Sequence, residues 1–129
     1  IDRLVQPQSL PAWLSPADLD TYVEAFTRSG FTGGLNYYRN FHRNWETTPE
    51  LAGRRITQPA LFIAGVQDPV LSFGPGSVEE QMGPSMEDLR EILLIPETGH
   101  WVQQERPAEV NAALLSFLAD IDSSFTTAS

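Results

Sequence analysis

Two different rhythms of apolar residues divide the chain. In the first half they recur at helical spacing. Ser15 suits an N-cap, Pro16 the first helical position, and Asp18 places a carboxylate in the first turn. Leu19, Tyr22, Val23 and Phe26 then fall on one face, and Gly30 stops the run. Gly33-Gly34 reads as a turn. A second helix is expected with Leu35, Tyr38, Phe41, His42 and Trp45 on one stripe and Arg39, Asn40 and Arg43 facing away. Thr48-Pro49 ends it.

The second half changes rhythm. Residues 59–65 (Pro-Ala-Leu-Phe-Ile-Ala-Gly) and 91–96 (Glu-Ile-Leu-Leu-Ile-Pro) are short continuous apolar runs bounded by Pro and Gly. Continuous rather than alternating runs mark strands buried on both faces, as in parallel sheets. Two short amphipathic pieces lie between them, around 78–82 and 86–90, split by Gly83-Pro84. Strand, crossover and strand make a βαβ unit, expected to be right-handed. A last helix starts near Pro107 and is expected to bury Val110, Leu114, Phe117, Leu118 and Ile121, with a polar tail over 122–129 that frays. Two such strands present two sheet faces and two open edges, and few helices are available to cover them. They read as interior strands of a larger sheet, so the sequence is not expected to fold as a complete domain alone.

Composition narrows the chemistry. The 129 residues suit one domain or less, and the 41 % apolar fraction contains no run near the roughly 20 residues of a membrane span. No apolar leader follows Ile1, since Asp2 and Arg3 come at once; a start at Ile suggests a processed chain or a fragment. The formal charge is −9 and every basic residue is Arg, so a phosphate backbone would be repelled and nucleic acid is an unsuitable partner. Without Lys there is no Schiff-base amine, and without Cys no thiolate, disulfide or zinc–thiolate site. The lack of Cys fits a cytoplasmic protein. His42 and His100 lie in separate segments, outside any HExxH-like spacing, so no metal site is expected.

In open α/β sheets, sites form at the carboxyl ends of strands. Asp68 follows the first strand in Gly65-Val66-Gln67-Asp68-Pro69, and His100 follows the second in Pro96-Glu97-Thr98-Gly99-His100-Trp101. A carboxylate there could fix the imidazole tautomer and stabilise the imidazolium when the other ring nitrogen takes a proton. Plainer readings stand beside this one. Asp before Pro is a common turn signal, a His after Gly is often a loop residue, and Tyr38 on an apolar stripe is usually core. The functional reading of Tyr38 is a phenol donating to developing negative charge.

The stretch Ser29-Gly30-Phe31-Thr32-Gly33-Gly34-Leu35-Asn36-Tyr37-Tyr38-Arg39-Asn40, running on to Arg43-Asn44-Trp45, resembles the lid segment of α/β-hydrolase-fold epoxide hydrolases. Gly65-Val66-Gln67-Asp68-Pro69-Val70 resembles that family's acid loop. Residues 99–107 (Gly-His-Trp-Val-Gln-Gln-Glu-Arg-Pro), with Glu109-Val110-Asn111, resemble its histidine loop and last helix. The resemblance implies an α/β fold, with residues 1–55 the C-terminal part of a helical lid and 56–129 the C-terminal part of the hydrolase core. It also implies that Asp68 is the triad acid, His100 the general base and Tyr38 one of two lid tyrosines on the epoxide oxygen. Phe41, Val70, Leu71 and Trp101 fall where the family lines its substrate tunnel.

The implied reaction opens an epoxide to a hydroxyalkyl ester on a nucleophilic Asp, and water then hydrolyses the ester to a vicinal diol. No metal or organic cofactor is implied. The nucleophile, the oxyanion-hole motif and the second lid tyrosine have no counterpart here: neither Gly-x-Asp-x-Gly nor Gly-x-Ser-x-Gly occurs. The expected partners are therefore a small-molecule epoxide and the N-terminal portion of the same hydrolase; a membrane is not implied, and a homodimer stays open. Haloalkane dehalogenases and esterases share the Asp and His without needing Tyr38. A catalytically incomplete fragment, or an interaction module, is the reading from a different class.

Overall fold

The computed structural model describes residues 7–126, with side chains described through residue 123; the opening Ile1-Asp2-Arg3 lies outside the described residues. The chain separates into two compact units, Ile1–Ala52 and Gly53–Ser129.

The first unit is helical. α1 spans Pro16–Ser29 and opens as expected: the Ser15 side chain accepts the Asp18 N–H, while the Asp18 carboxylate accepts the Ser15 N–H. This reciprocal box satisfies two amides that the helix cannot pair itself, and loss of such a cap costs about 1 kcal/mol. Gly30, at φ 64°, closes the helix in a left-handed conformation that glycine adopts without penalty. The expected second helix is in fact two, α2 (Thr32–Arg39) and α3 (Phe41–Thr47). The break at Asn40 has a local cause, because both its backbone N–H and its side-chain amide donate to the Asn36 carbonyl. Such side-chain competition for a helix carbonyl bends or ends the helix. Gly33 and Gly34 do not form a turn; they occupy the first turn of α2.

The second unit is built on two parallel strands, β1 (Ile56–Gly65) and β2 (Met86–Ile95), paired from Ile56 opposite Met86 to Gly65 opposite Ile95. Residues 86–90 are thus strand, not a second amphipathic piece of the crossover. Arg55 secures this start of β2 by donating to the Met86 carbonyl at 2.6 Å. The register slips between Ile56 and Pro59, where proline has no N–H to give the ladder. The crossover holds one short α-helix, α4 (Val78–Met82), between two 3₁₀ turns, Pro69–Ser72 and Gly83–Ser85; the Ser77–Glu80 capping box of α4 repeats the device seen at α1. After β2 come α5 (Val102–Glu105) and α6 (Pro107–Thr126). α6 continues through most of the segment expected to fray, and 127–129 lie outside the described residues.

Among the described residues, full burial is found at the carboxyl ends of the strands, at Thr98 just beyond β2 and at Val110 of α6. Among the described residues, Ala64, Ile95 and Val110 are the buried apolar side chains. The strands were expected to be buried on both faces, and elsewhere they are not. Of the α6 residues expected inside, only Val110 is; Phe117 and Ile121 are half-buried, and Leu114 and Leu118 are exposed. The cause is width: a helix packed on two strands finds no third strand under the rest of its apolar face. Among the described residues no helix is long and apolar enough to cross a membrane.

Candidate active site

The acid and histidine loops leave neighbouring strand ends and are joined by main-chain bonds. Val66 N–H donates to the Ile95 carbonyl at 3.0 Å, and Gln67 N–H to the Thr98 carbonyl at 2.8 Å. Gly65 makes this approach possible. A Cβ at that position would collide with the Thr98 and Gly99 carbonyl oxygens. Gly65→Ala must push two backbone segments apart, at about 1–3 kcal/mol. A denaturant midpoint lowered accordingly is the expected result. Gly83→Ala, with nothing within 4 Å of the added methyl, is the control and should change little.

Beyond the junction the chain turns on itself, Asp68 N–H donating to the Gly65 carbonyl at 3.0 Å. Asp68 then caps the 3₁₀ turn Pro69–Ser72, its Oδ1 accepting the Val70 N–H at 2.9 Å. The other oxygen, Oδ2, faces His100 Nδ1 at 2.9 Å. Burial pushes the Asp68 carboxyl upward, and this is the largest single influence. The Val70 N–H and His100, by hydrogen bond and charge, together outweigh it and hold the group below its ordinary range. An ionised carboxylate can only accept, so Nδ1 must carry the proton; in the neutral ring Nε2 is then the free base. The Asp68 side chain is 10 % exposed and that of His100 52 %, so the ring is held at its inner edge and open at its outer one.

The histidine loop is fixed from beneath. Thr98 is fully buried, its hydroxyl donating to the Pro96 carbonyl at 2.8 Å and accepting from Arg106 Nε at 3.3 Å. Glu97 takes a left-handed φ of 53°, which turns the chain sharply out of β2. Trp101 meets the imidazole edge-on, ring centroids 5.1 Å apart.

Curated relatives and solved structures are similar to this chain over most of its length. The chain is 56 % identical over 124 residues to epoxide hydrolase A of Mycobacterium tuberculosis, covering 95 % of this chain and 37 % of the relative. Epoxide hydrolase A from Mycobacterium thermoresistibile superposes with a TM-score of 0.83 at 55 % identity, over 92 % of this chain and 36 % of that one. The chain matches the C-terminal part of α/β-hydrolase-fold epoxide hydrolases. The solved structure of potato epoxide hydrolase I is more distant, at 34 % identity and a TM-score of 0.77, with 84 % of this chain and 35 % of that one covered. No family model matches. The chain therefore spans about a third of the length of the epoxide hydrolases it resembles.

Of the residues singled out from the sequence, Asp68 and His100 are brought together. Val70 and Trp101 sit in the same loops with exposed side chains, and Leu71 is half-buried. Tyr38 and Phe41 belong to the other unit, where their rings pack at 5.6 Å and both are exposed, not core. A hollow of about 550 Å³ in that unit is lined by Trp45, Glu46, Thr48, Pro49, Leu51 and Ala52, and includes none of Tyr38, Asp68 and His100. Among the described residues no three His, Asp or Glu side chains gather as metal ligands do. Thr98, Glu105 and Arg106 support the histidine loop without having been assigned a part.

Proposed function

We propose that this chain supplies the hydrolytic half of an epoxide hydrolase, with Asp68 as the acid that orients His100 and His100 as the base that activates water. The carrying observation is the 2.9 Å bond between Asp68 Oδ2 and His100 Nδ1 at adjacent parallel strand ends. The names of the relatives give the substrate class, an epoxide. On this reading the first unit is the end of the lid, the second the end of the hydrolase core.

In the first step a carboxylate that this chain lacks attacks a ring carbon, and the C–O bond breaks to leave a hydroxyalkyl ester. The Tyr38 phenol hydrogen-bonds to the departing oxygen as it becomes an alkoxide and passes it the proton that makes the hydroxyl. In the second step His100 Nε2 takes a proton from water and the hydroxide adds to the ester carbonyl; on collapse the leaving oxygen takes the proton from the imidazolium to give the vicinal diol, and the acid releases its proton, which restores the carboxylate and the Tyr38 phenol. Asp68 stabilises the transient imidazolium. Phe41, Val70, Leu71 and Trp101 are assigned to the walls of the substrate tunnel.

Diol formation from an aryl epoxide tests the division of labour. A complete hydrolase carrying this segment should form diol, while this chain by itself should form none. Diol from the chain alone would overturn the need for an outside nucleophile, and no diol from the complete enzyme would overturn the epoxide reading. Tyr38→Phe in the complete enzyme should slow ester formation by about 10²–10³, the usual cost of a lost oxyanion donor. An undiminished rate would remove Tyr38 from the epoxide-opening step.

A further inference from the structure

Glu105 ends α5 with its carboxylate turned back over the histidine loop. Its Oε2 accepts the Gly99 N–H at 2.8 Å, and its Oε1 accepts the Trp101 N–H at 3.1 Å. Those two amides lie immediately before and after His100. Trp101 itself provides no side-chain cap for α5, so the carboxylate from the far end of this short helix takes that place. Gly99 leaves room for it: a Cβ there would come within 3.1 Å of Oε1. Hydrogen bonds to an ionised acceptor are roughly twice as strong as neutral ones, and Glu105 is half-buried, so water competes less well.

We propose that Glu105 is a positioning residue for His100, its single carboxylate clamping the amides on both sides of the imidazole's own backbone so that Nδ1 stays aimed at Asp68. The inference rests on reading His100 as the base. Glu105 reaches neither substrate nor the reacting atoms, and acts by keeping the ring from swinging away from Oδ2. Its effect should therefore fall on the water-activating step and spare ester formation.

The test compares Glu105→Gln and Glu105→Ala in the complete hydrolase by two readouts. In single-turnover kinetics with an aryl epoxide, ester hydrolysis should slow by about tenfold to a hundredfold, a cost expected of small misplacements, while ester formation stays nearly unchanged. In proton NMR without substrate, the His100 Nδ1–H resonance should broaden or disappear in both variants. Loss of stability alone would not separate the two steps. A sharp, unshifted His100 resonance with an unchanged ratio of hydrolysis to formation would overturn the proposal. If the wild-type enzyme opens no epoxide, the functional reading fails and the NMR comparison still decides this one. If neither variant folds, amide exchange in the wild type decides: the Gly99 and Trp101 amides should exchange more slowly than that of His100, and equal rates would refute the clamp.

Discussion

Replacing His100 by Gln in the complete hydrolase is expected to let the covalent ester form and then persist. Nε2 is the only nitrogen of the ring free to take a proton, because the ionised Asp68 carboxylate requires Nδ1 to donate. Glutamine offers no base of comparable strength near neutral pH. General-base catalysis contributes about 10²–10⁴ in rate, and the loss should fall within that range. The check is intact-protein mass spectrometry after mixing with epoxide. A stoichiometric adduct of enzyme plus epoxide is the expected result, and diol release at the wild-type rate would remove His100 from the mechanism.

Asp68→Asn is expected to cost about as much by a different route. The carboxylate serves two neighbours at once, Val70 N–H through Oδ1 and His100 through Oδ2. An amide of the same shape can accept from only one of them with its oxygen. If the oxygen stays with Val70, the amide nitrogen faces Nδ1 and donates to it, which moves the imidazole proton to Nε2 and abolishes the base. A wrong tautomer of this kind costs about 10⁴ in serine proteases. The nitrogen-15 shifts of His100 report the tautomer directly, and a ring still protonated at Nδ1 in this variant would contradict the account. The pH behaviour follows from the same bonds. Because the Asp68 carboxyl is held low in the folded protein, the stability it contributes is present above the ordinary carboxylate range. That contribution is lost only as the pH falls through the lowered value, so the pair stays assembled across neutral pH.

Elements whose determinants are local were legible in the sequence. Ser15 and Asp18 cap α1 as their spacing predicts, and β1 and β2 follow from two continuous apolar runs. The strand-end positions of Asp68 and His100 likewise follow from the runs that precede them. What stayed hidden depends on partners distant along the chain. Residues 86–90 look amphipathic alone and become strand because Ile56 to Ala60 lie beside them. Leu114 and Leu118 have the spacing of a buried face, but burial needs a neighbour that two strands do not provide. Asn40 divides the second helix through a side-chain bond that periodicity cannot register. Glu105 was missed because its two acceptor bonds exist only once the loop has folded over α5.

The way Asp68 is held also bears on how such an enzyme can diverge. Val70 steadies the Asp68 carboxylate through its main-chain N–H, while its side chain is exposed and, in the proposed function, belongs to the tunnel wall. Any residue except proline supplies the same N–H. Substrate range can therefore drift at this position over generations of substitution, by changes of side-chain size and shape, without altering the bond that keeps the acid in place. Under the proposed assignment, selectivity and catalytic competence reside in different atoms of one residue, which would let selection act on the first while the second is inherited unchanged.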